Sequence, residues 1–227
     1  MVHFFIGMPY RPTERTEARK AAARDTILAA ALDQVARAGY ASASMSTVAR
    51  GAGVATGTVY RHFSSKTELF AEVFRRASNR ELEILRDLAT DRDRPAAERV
   101  AACVEAFSRR ALAGPVLAYA QIAEPVDPAV EAERLTLRRG YRDVFAGLLR
   151  EGIDAGELPE QDVETVAAGL VGAIGEALVG PLSPAAPGRM SRNEALIASL
   201  VQFCLSAIDN REEPNHGRDA ARRRLHA

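Results

Sequence analysis

Residues 42–70 read SASMSTVARGAGVATGTVYRHFSSKTELF, and they hold two short helical patterns with a tight turn between them. Ser44 suits an N-cap, and the apolar residues after it recur at helical spacing. Gly53 suits the turn, because the residue after a helix C-terminus often adopts a positive φ that glycine takes without strain. A second helix is predicted over 56–63, with apolar side chains one turn apart on its buried side. Two short helices joined this closely predict a helix-turn-helix unit.

The solvent side of the second helix carries hydrogen-bond donors and no acid. Contacts to phosphates and base edges need such donors, whereas a carboxylate would be repelled. Ser65 then caps a further helix, in a Ser-x-x-Glu capping box with Glu68. Lys66 stands in the first turn of that helix, where its ammonium and the helix amides together suit one DNA phosphate. The candidate DNA-contacting residues are Ser46, Thr47, Thr56, Gly57, Thr58, Tyr60, Arg61, His62 and Lys66.

A specific set of residues runs through this part of the chain: Ala49, the Ala52-Gly53-Val54 turn, Thr58-Val59-Tyr60, His62-Phe63 and Ser65-Lys66. With them, residues 20–76 resemble the DNA-binding domain of the TetR family of bacterial transcription regulators. The resemblance implies a homodimeric repressor with an effector-binding helical domain after about residue 80. It also implies that the last two long helices form a four-helix interface, and that Tyr60, His62 and Lys66 contact the DNA backbone.

Length and charge agree with a two-part regulator. The 227 residues are enough for a small DNA-binding unit and a larger second domain. Residues 1–76 hold 11 Lys or Arg against 6 Asp or Glu (+5), and residues 77–227 hold 19 against 24 (−5). A basic module joined to an acidic one suits a DNA-binding part and a part that stays off DNA.

Two further features concern the compartment. No apolar run reaches the length of a membrane span, so we expect a cytoplasmic protein with no membrane partner. The cysteines, Cys103 and Cys204, lie within apolar helical patterns. We expect two buried thiols, and a redox pair stays open because it would need their Cα atoms to lie close together.

Helical periodicity continues along the chain, and no stretch has the alternation of a strand. The sequence therefore predicts an all-α fold, in which an N-terminal three-helix helix-turn-helix domain precedes a larger helical domain for effector binding and dimerisation. A helix starting at Lys66 is expected to join the two domains, and a later long helix is expected from Pro159 to about Val179. The predicted divisions are a flexible arm at 1–16, the DNA-binding domain at 17–76, the ligand-binding and dimerisation domain at 77–209 and a disordered tail at 210–227.

The middle helices either enclose an effector or pack into a solid core. A lining of mostly apolar residues with two phenols and one amide would favour a largely apolar molecule with one or two hydrogen-bonding groups. The alternative that these residues simply fill the core stays open. The candidate ligand-binding residues are Phe107, Leu117, Tyr119, Gln121, Tyr141, Phe145, Leu149, Leu170 and Ile174.

The two last long helices suit an interface between protomers. The first contains three glycines among mostly small residues. Each costs a helix interior about 1 kcal/mol relative to alanine, so we expect a second helix backbone to approach closely. The alternative is that both helices close a monomeric core. The interface candidates are Gly169, Gly172, Ala173, Glu176, Leu196, Leu200 and Cys204.

Other classes of function have little support in the sequence. It shows no convincing Ser/His/Asp or Cys/His arrangement, no phosphate-binding glycine loop and no metal-ligand spacing, so we predict neither an enzyme nor a cofactor or metal. An enzyme acting on the bound small molecule would reveal itself by turnover without DNA binding. A nonspecific architectural DNA-binding protein is disfavoured by the acidic second part. The predicted partners are double-stranded DNA, a second copy of the chain and a small-molecule effector.

Overall fold

The computed structural model describes residues 14–185 and 190–209, which form helices and no strand, as predicted. The helix bounds are α1 Glu14–Ser42, α2 Met45–Gly51, α3 Thr56–His62, α4 Lys66–Ala89, α5 Ala96–Ala113, α6 Pro115–Ile122, α7 Pro128–Asp154, α8 Val163–Leu182 and α9 Met190–Ile208.

Two predicted helix starts differ from the structure. Helix α1 already begins at Glu14, so residues 14–16 belong to a helix and not to the predicted arm. Helix α8 begins at Val163 and not at Pro159, because the Asp162 carboxylate caps it by accepting a hydrogen bond from the Thr165 amide. The rest of the arm and the tail predicted at 210–227 lie outside the described residues.

The first hydrophobic core is formed by α1, α2, α3 and the first half of α4, and it also takes in Ala120 of α6 and Val130 of α7. Helices α2 and α3 have seven residues each, too few to be stable alone. They bury Val48 and Val59 completely against a stripe on α1 that includes Ile27 and Val35. The backbone of α1 turns at Gly39, where φ is 76° and ψ is 172°, before the chain enters α2.

Helix α4 runs through both cores of the molecule. Its first half buries Phe70 and Phe74 in the first core, and its second half buries Leu82 and Leu85 in the second core, that of the larger domain. Helix α7 packs along α4 on one side and α8 on the other, while α9 packs against α5. Helix α4 is therefore one continuous element that belongs to both cores.

Cys103 and Cys204 are fully buried free thiols in the larger core, as expected. Burial raises the pKa of each thiol to about 11. Both therefore stay protonated and inert at neutral pH.

The expectation that no helix is long and apolar enough to span a membrane is wrong for α8, which qualifies by length and composition alone. Core helices of soluble proteins meet the same criteria. Here α8 packs against α5, α6, α7 and α9 and buries Leu170, Ile174 and Leu178 in the second core.

Candidate nucleic-acid interface and ligand cavity

Helix α2 and the turn that follows it have the local chemistry that the sequence predicts. The Ser44 hydroxyl accepts a hydrogen bond from the Thr47 amide (3.2 Å), and the Thr47 hydroxyl accepts one from the Ser44 amide (3.0 Å). Gly53 has a φ of +67° and turns the chain towards α3. Val59 is 0% exposed, which fixes α3 against the core with its opposite side in solvent.

The outer side of α3 brings six of the predicted DNA-contacting residues onto one surface. Tyr60 is 52% exposed although it is a large aromatic residue. Arg61 donates to the Thr58 hydroxyl (2.9 Å), which holds the guanidinium along the helix. A Cβ at Gly57 would meet no atom within 4 Å, so the fold itself does not require glycine there. The exposed members are Thr56, Gly57, Tyr60 and Arg61, and the half-buried ones are Thr58 and His62.

Helix α2 adds a cation that the sequence analysis missed. Arg50 is exposed in the last turn of α2, one turn after the exposed Ser46, and forms no ion pair with the described residues. Because Arg50 follows Ser46 by four residues, the two lie on the same side of α2, and this spacing could have identified Arg50 from the sequence. Thr47 is half-buried and its hydroxyl takes part in the cap, so it is less free than Ser46 to reach DNA.

The start of α4 differs from the predicted phosphate site. Ser65 caps the helix by accepting from the Glu68 amide (3.1 Å), as expected. The Glu68 carboxylate, however, accepts from the Ser64 amide (2.7 Å) and hydroxyl, which lowers its pKa. Lys66 donates to the Tyr40 carbonyl (3.2 Å) and lies 4.4 Å from the centre of the Tyr40 ring. Lys66 therefore has a structural role beside its predicted contact to phosphate.

The larger domain encloses a cavity of about 950 Å³ between α4, α5, α6, α7 and α8. Three predicted ligand-binding residues do not line it, because Leu149 and Leu170 are buried in the solid core and Tyr119 packs against that core. The predicted residues that do line the cavity are Phe107, Leu117, Gln121, Tyr141, Phe145 and Ile174.

One wall of the cavity combines aromatic and polar groups. The rings of Phe107 and Tyr141 meet edge to face, with centroids 5.6 Å apart. Gln121 donates to the hydroxyl of Ser78 on α4 (3.0 Å). Burial raises the pKa of Tyr141, so its phenol stays a hydrogen-bond donor at neutral pH.

Five arginines line the cavity, a feature absent from the predicted lining. Arg110 is satisfied by the carboxylate of Glu81 (2.8 Å). Arg139 and Arg142 form no ion pair with the described residues, and the buried Nε of Arg142 has no hydrogen-bond partner. Arginine on a long helix is usually solvated, so nothing in the sequence marked these side chains. The five are Arg110, Arg134, Arg138, Arg139 and Arg142.

Arg134 joins the cavity to the end of α6. It is 7% exposed, and burial lowers the pKa of its guanidinium. Its Nη2 donates to the carbonyls of Ala120 (2.8 Å) and Glu124 (2.7 Å), and its Nη1 to the carboxylate of Glu131 (2.7 Å). Arg138 donates to a third carbonyl of the same helix end. The C-terminal carbonyls of α6, which have no partners within the helix, are thus held by two cavity arginines.

The segment after α6 contacts the DNA-binding domain directly. The Glu124 carboxylate accepts hydrogen bonds from the backbone amides of Tyr40 (2.8 Å) and Ala41 (3.0 Å). Asp127 accepts from the Tyr40 hydroxyl and from Thr67 (3.1 Å), and the hydrogen bond from Tyr40 lowers the pKa of Asp127. These two carboxylates join the loop between α6 and α7 to the end of α1 and the start of α4.

The predicted interface residues divide into exposed and buried sets. Leu200 and Cys204 lie inside the protomer core, so they support α9 from beneath and do not line its surface. Phe203, which the sequence analysis missed, is 54% exposed on α9. A Cβ at Gly169 or Gly172 would meet no described atom within 4 Å, and Gly172 and Glu176 also line the cavity. The exposed candidates are Gly169, Gly172 and Glu176, and the half-buried ones are Ala173 and Leu196.

Comparison with known families covers both domains. Residues 27–73 match the model described as bacterial regulatory proteins of the tetR family, and residues 93–177 match a tetracyclin repressor-like C-terminal domain. The chain belongs to the TetR family of bacterial transcription regulators. Membership in the TetR family makes it a DNA-binding transcription regulator.

Relatives within the TetR family include the fatty acid metabolism regulator protein of Bacillus subtilis (strain 168). It is 28% identical over 141 residues, which span 59% of this chain and 70% of the relative. The crystal structure of FadR from Bacillus subtilis in complex with stearoyl-CoA has a TM-score of 0.70 at 24% identity, covering 81% of this chain and 98% of that one. A putative regulator from Pseudomonas aeruginosa PAO1 has a TM-score of 0.64 at 26% identity, covering 89% and 94%.

Proposed function

We propose that the protein is a homodimeric, cytoplasmic repressor that leaves a palindromic operator when an amphiphilic effector binds. The effector combines a long apolar chain with an anionic head group. The observation that supports this most directly is the cavity itself, which joins an apolar interior to three arginines (Arg138, Arg139 and Arg142) that have no ionic partner among the described residues.

The apolar part of the cavity suits an acyl chain. Its volume of about 950 Å³ lies at the upper end of the roughly 300–1,000 Å³ range of small-molecule sites. Phe145, Leu137 and Ile174 contribute to the lining. Each buried methylene contributes up to about 0.8 kcal/mol, so we expect affinity to rise with chain length until the cavity is filled.

The arginines suit an anionic head. Unpaired guanidinium groups beside a low-dielectric cavity attract a carboxylate or phosphate and bind it with paired hydrogen bonds. Arg142 follows the adjacent pair Arg138 and Arg139 by one helical turn on α7, and all three line the cavity together with the exposed Leu135. The resembling regulator from Bacillus subtilis forms a complex with stearoyl-CoA, whose head carries phosphates. An acyl-coenzyme A thioester is therefore the first compound to test.

Two-fold symmetry accounts for operator recognition. One short helix reads too few base pairs to find a site in a genome, so two copies of α3 must reach successive major grooves about 34–36 Å apart. The exposed small residues of α8 and Phe203 of α9 offer a surface on which a second protomer can pack. Effector binding then has to favour a dimer geometry that breaks this spacing, through different affinities for the two states.

A thermal-shift measurement with stearoyl-CoA tests the ligand class. Saturation at about 100 times Kd stabilises the protein by about 2.7 kcal/mol, which corresponds to a shift of roughly 5–10 °C for a chain of this size. Coenzyme A alone and decanoyl-CoA should shift the midpoint less. Arg142→Gln should reduce the shift, whereas Arg86→Gln, an exposed arginine on α4 outside the cavity lining, should not. A wild-type midpoint that does not move would contradict this ligand class.

A further inference from the structure

A chain of hydrogen bonds connects the cavity to the helix-turn-helix unit. It starts at Arg134, whose Nη2 donates to the carbonyls of Ala120 and Glu124 and whose Nη1 donates to the carboxylate of Glu131. It continues through the carboxylate of Glu124 to the amides of Tyr40 and Ala41. We name these contacts the α6 latch.

The far end of the α6 latch holds residues that position the DNA-facing surface. The Tyr40 carbonyl accepts from Lys66, the first residue of α4, and the Tyr40 hydroxyl donates to Asp127. Tyr40 also packs edge to face on Phe70, with centroids 5.4 Å apart. The end of α1 and the start of α4 are therefore fixed, relative to the larger domain, by groups that follow α6.

The near end of the α6 latch faces the effector. Arg134 and Arg138 both line the cavity and both donate to carbonyls at the end of α6. An anion in the cavity offers these guanidinium groups a stronger partner than a neutral carbonyl, because the attraction between opposite charges adds to the hydrogen bonds and is strong beside a low-dielectric cavity. If the guanidinium groups turn to the anion, the end of α6 loses its partners and Glu124 is no longer held in place.

We propose that the α6 latch is the switch that couples the effector to DNA: Arg134 and Arg138 hold it closed in the ligand-free protein, and the anionic head opens it. This inference rests on the proposed function, because it assigns the regulation of the same cavity. Glu124 is then a positioning residue, which touches neither effector nor DNA. Opening frees the Tyr40 and Ala41 amides and loosens the α1–α4 junction.

Hydrogen exchange on the free protein tests the latch without ligand or operator. Arg134→Met and Glu124→Gln should each speed exchange of the Tyr40 and Ala41 amides by about tenfold or more, since each removes charge-assisted hydrogen bonds. Glu133→Gln is the matched control, because Glu133 lies on α7 and accepts no hydrogen bond from the described residues. If the Arg134→Met protein does not fold, the single variants Arg138→Gln and Glu124→Gln are compared instead. Unchanged exchange in a folded Glu124→Gln protein would overturn the latch.

Operator binding separates the latch from the proposed function. Saturating stearoyl-CoA should weaken operator binding by wild type about 5–150-fold, the usual range of allosteric coupling. In Glu124→Gln, that factor should fall to about twofold or less, while the Kd for stearoyl-CoA changes less than about threefold. A variant that retains the wild-type factor would contradict the latch alone. A wild-type protein that binds stearoyl-CoA without losing operator affinity would contradict both proposals.

Discussion

Tyr60 and Val59 are neighbours on α3 with opposite surroundings. Tyr60 is 52% exposed and Val59 is 0% exposed. Tyr60→Ala should leave the free energy of unfolding within about 0.5 kcal/mol of wild type, because exposed substitutions rarely do more. It should weaken operator binding by about 1–3 kcal/mol per dimer, the value of two lost hydrogen bonds to phosphate.

Val59→Ala is the matched control in the same helix. It should cost about 2 kcal/mol of stability through lost burial, as measured by urea unfolding. If Tyr60→Ala instead lowers the free energy of unfolding as much as it lowers operator affinity, Tyr60 stabilises the fold and does not contact DNA.

The backbone conformation at Gly39 strongly favours glycine. Its φ of 76° and ψ of 172° lie in a region that is essentially restricted to glycine, and a Cβ there would lie 2.9 Å from Glu124 Oε1. Gly39→Ala should therefore destabilise the protein by about 1–3 kcal/mol. In Gly57→Ala the new Cβ meets nothing, and alanine favours the helix by about 1 kcal/mol, so stability should not fall. Equal unfolding midpoints for the two variants would contradict this account.

Local chemistry explains which residues could be predicted from the sequence. Ser44 and Gly53 act through atoms within three residues or through their own dihedral angles, so spacing alone identified them. Glu124 contacts amides 83 and 84 residues away, and the Lys66 ammonium turns to Tyr40 and not outwards. Such contacts depend on how α6 docks on α1, which no local pattern encodes.

At the scale of elements, Asp127 joins α1, α4 and the start of α7. Its pKa is lowered in the folded protein, so its contribution is present above its ordinary pKa of about 3.9 and is lost as pH falls through the lowered value. Asp127→Asn should reduce stability at pH 7. It should also flatten the dependence of stability on pH below about 4.

Urea midpoints of wild type and Asp127→Asn between pH 3 and pH 7 check this prediction. Asp143→Asn is the control, because this exposed carboxylate on α7 has no hydrogen-bond partner among the described residues. Parallel pH profiles for wild type and Asp127→Asn would contradict the assigned role of Asp127.

The exposed face of α8 and α9 predicts how the molecule assembles. Phe203 is 54% exposed in the protomer, so the charge introduced by Phe203→Asp should not disturb the protomer core. In sedimentation experiments without DNA, wild type should be a dimer and Phe203→Asp a monomer with little operator affinity. Ala132→Asp, on the exposed side of α7, should stay dimeric. A monomeric wild type would contradict the proposed interface.

The sequence could predict the α8 and α9 face only in part. Three glycines in α8 indicated a close helix contact, but Gly172 and Gly175 line the cavity, so the open space beside Gly169 alone is consistent with a second copy filling it. The apolar stripe of α9 did not distinguish Leu200 and Cys204, which serve the protomer core, from Phe203, which does not. Helical periodicity identifies an apolar side but not the partner that covers it.

At the scale of the whole molecule, effector binding in the cavity has to change the position of α3 through α4, α6 and α7. Sequence analysis predicted six of the residues that line the cavity, whereas most of its apolar lining was not predicted. The arginine lining could not be predicted, because a charged residue on a long helix looks solvated until the neighbouring helices are in place. That lining changes the expected effector from a largely apolar molecule to one with an anionic head.

The most direct test of the central claim is the dissociation constant of the operator with and without stearoyl-CoA. The operator is first obtained by selecting DNA with the purified protein, and a palindromic footprint is expected. Saturating stearoyl-CoA should raise the operator Kd about 5–150-fold, and Arg142→Gln should require more ligand for the same effect. An operator Kd that stays constant while stearoyl-CoA is bound would contradict this claim.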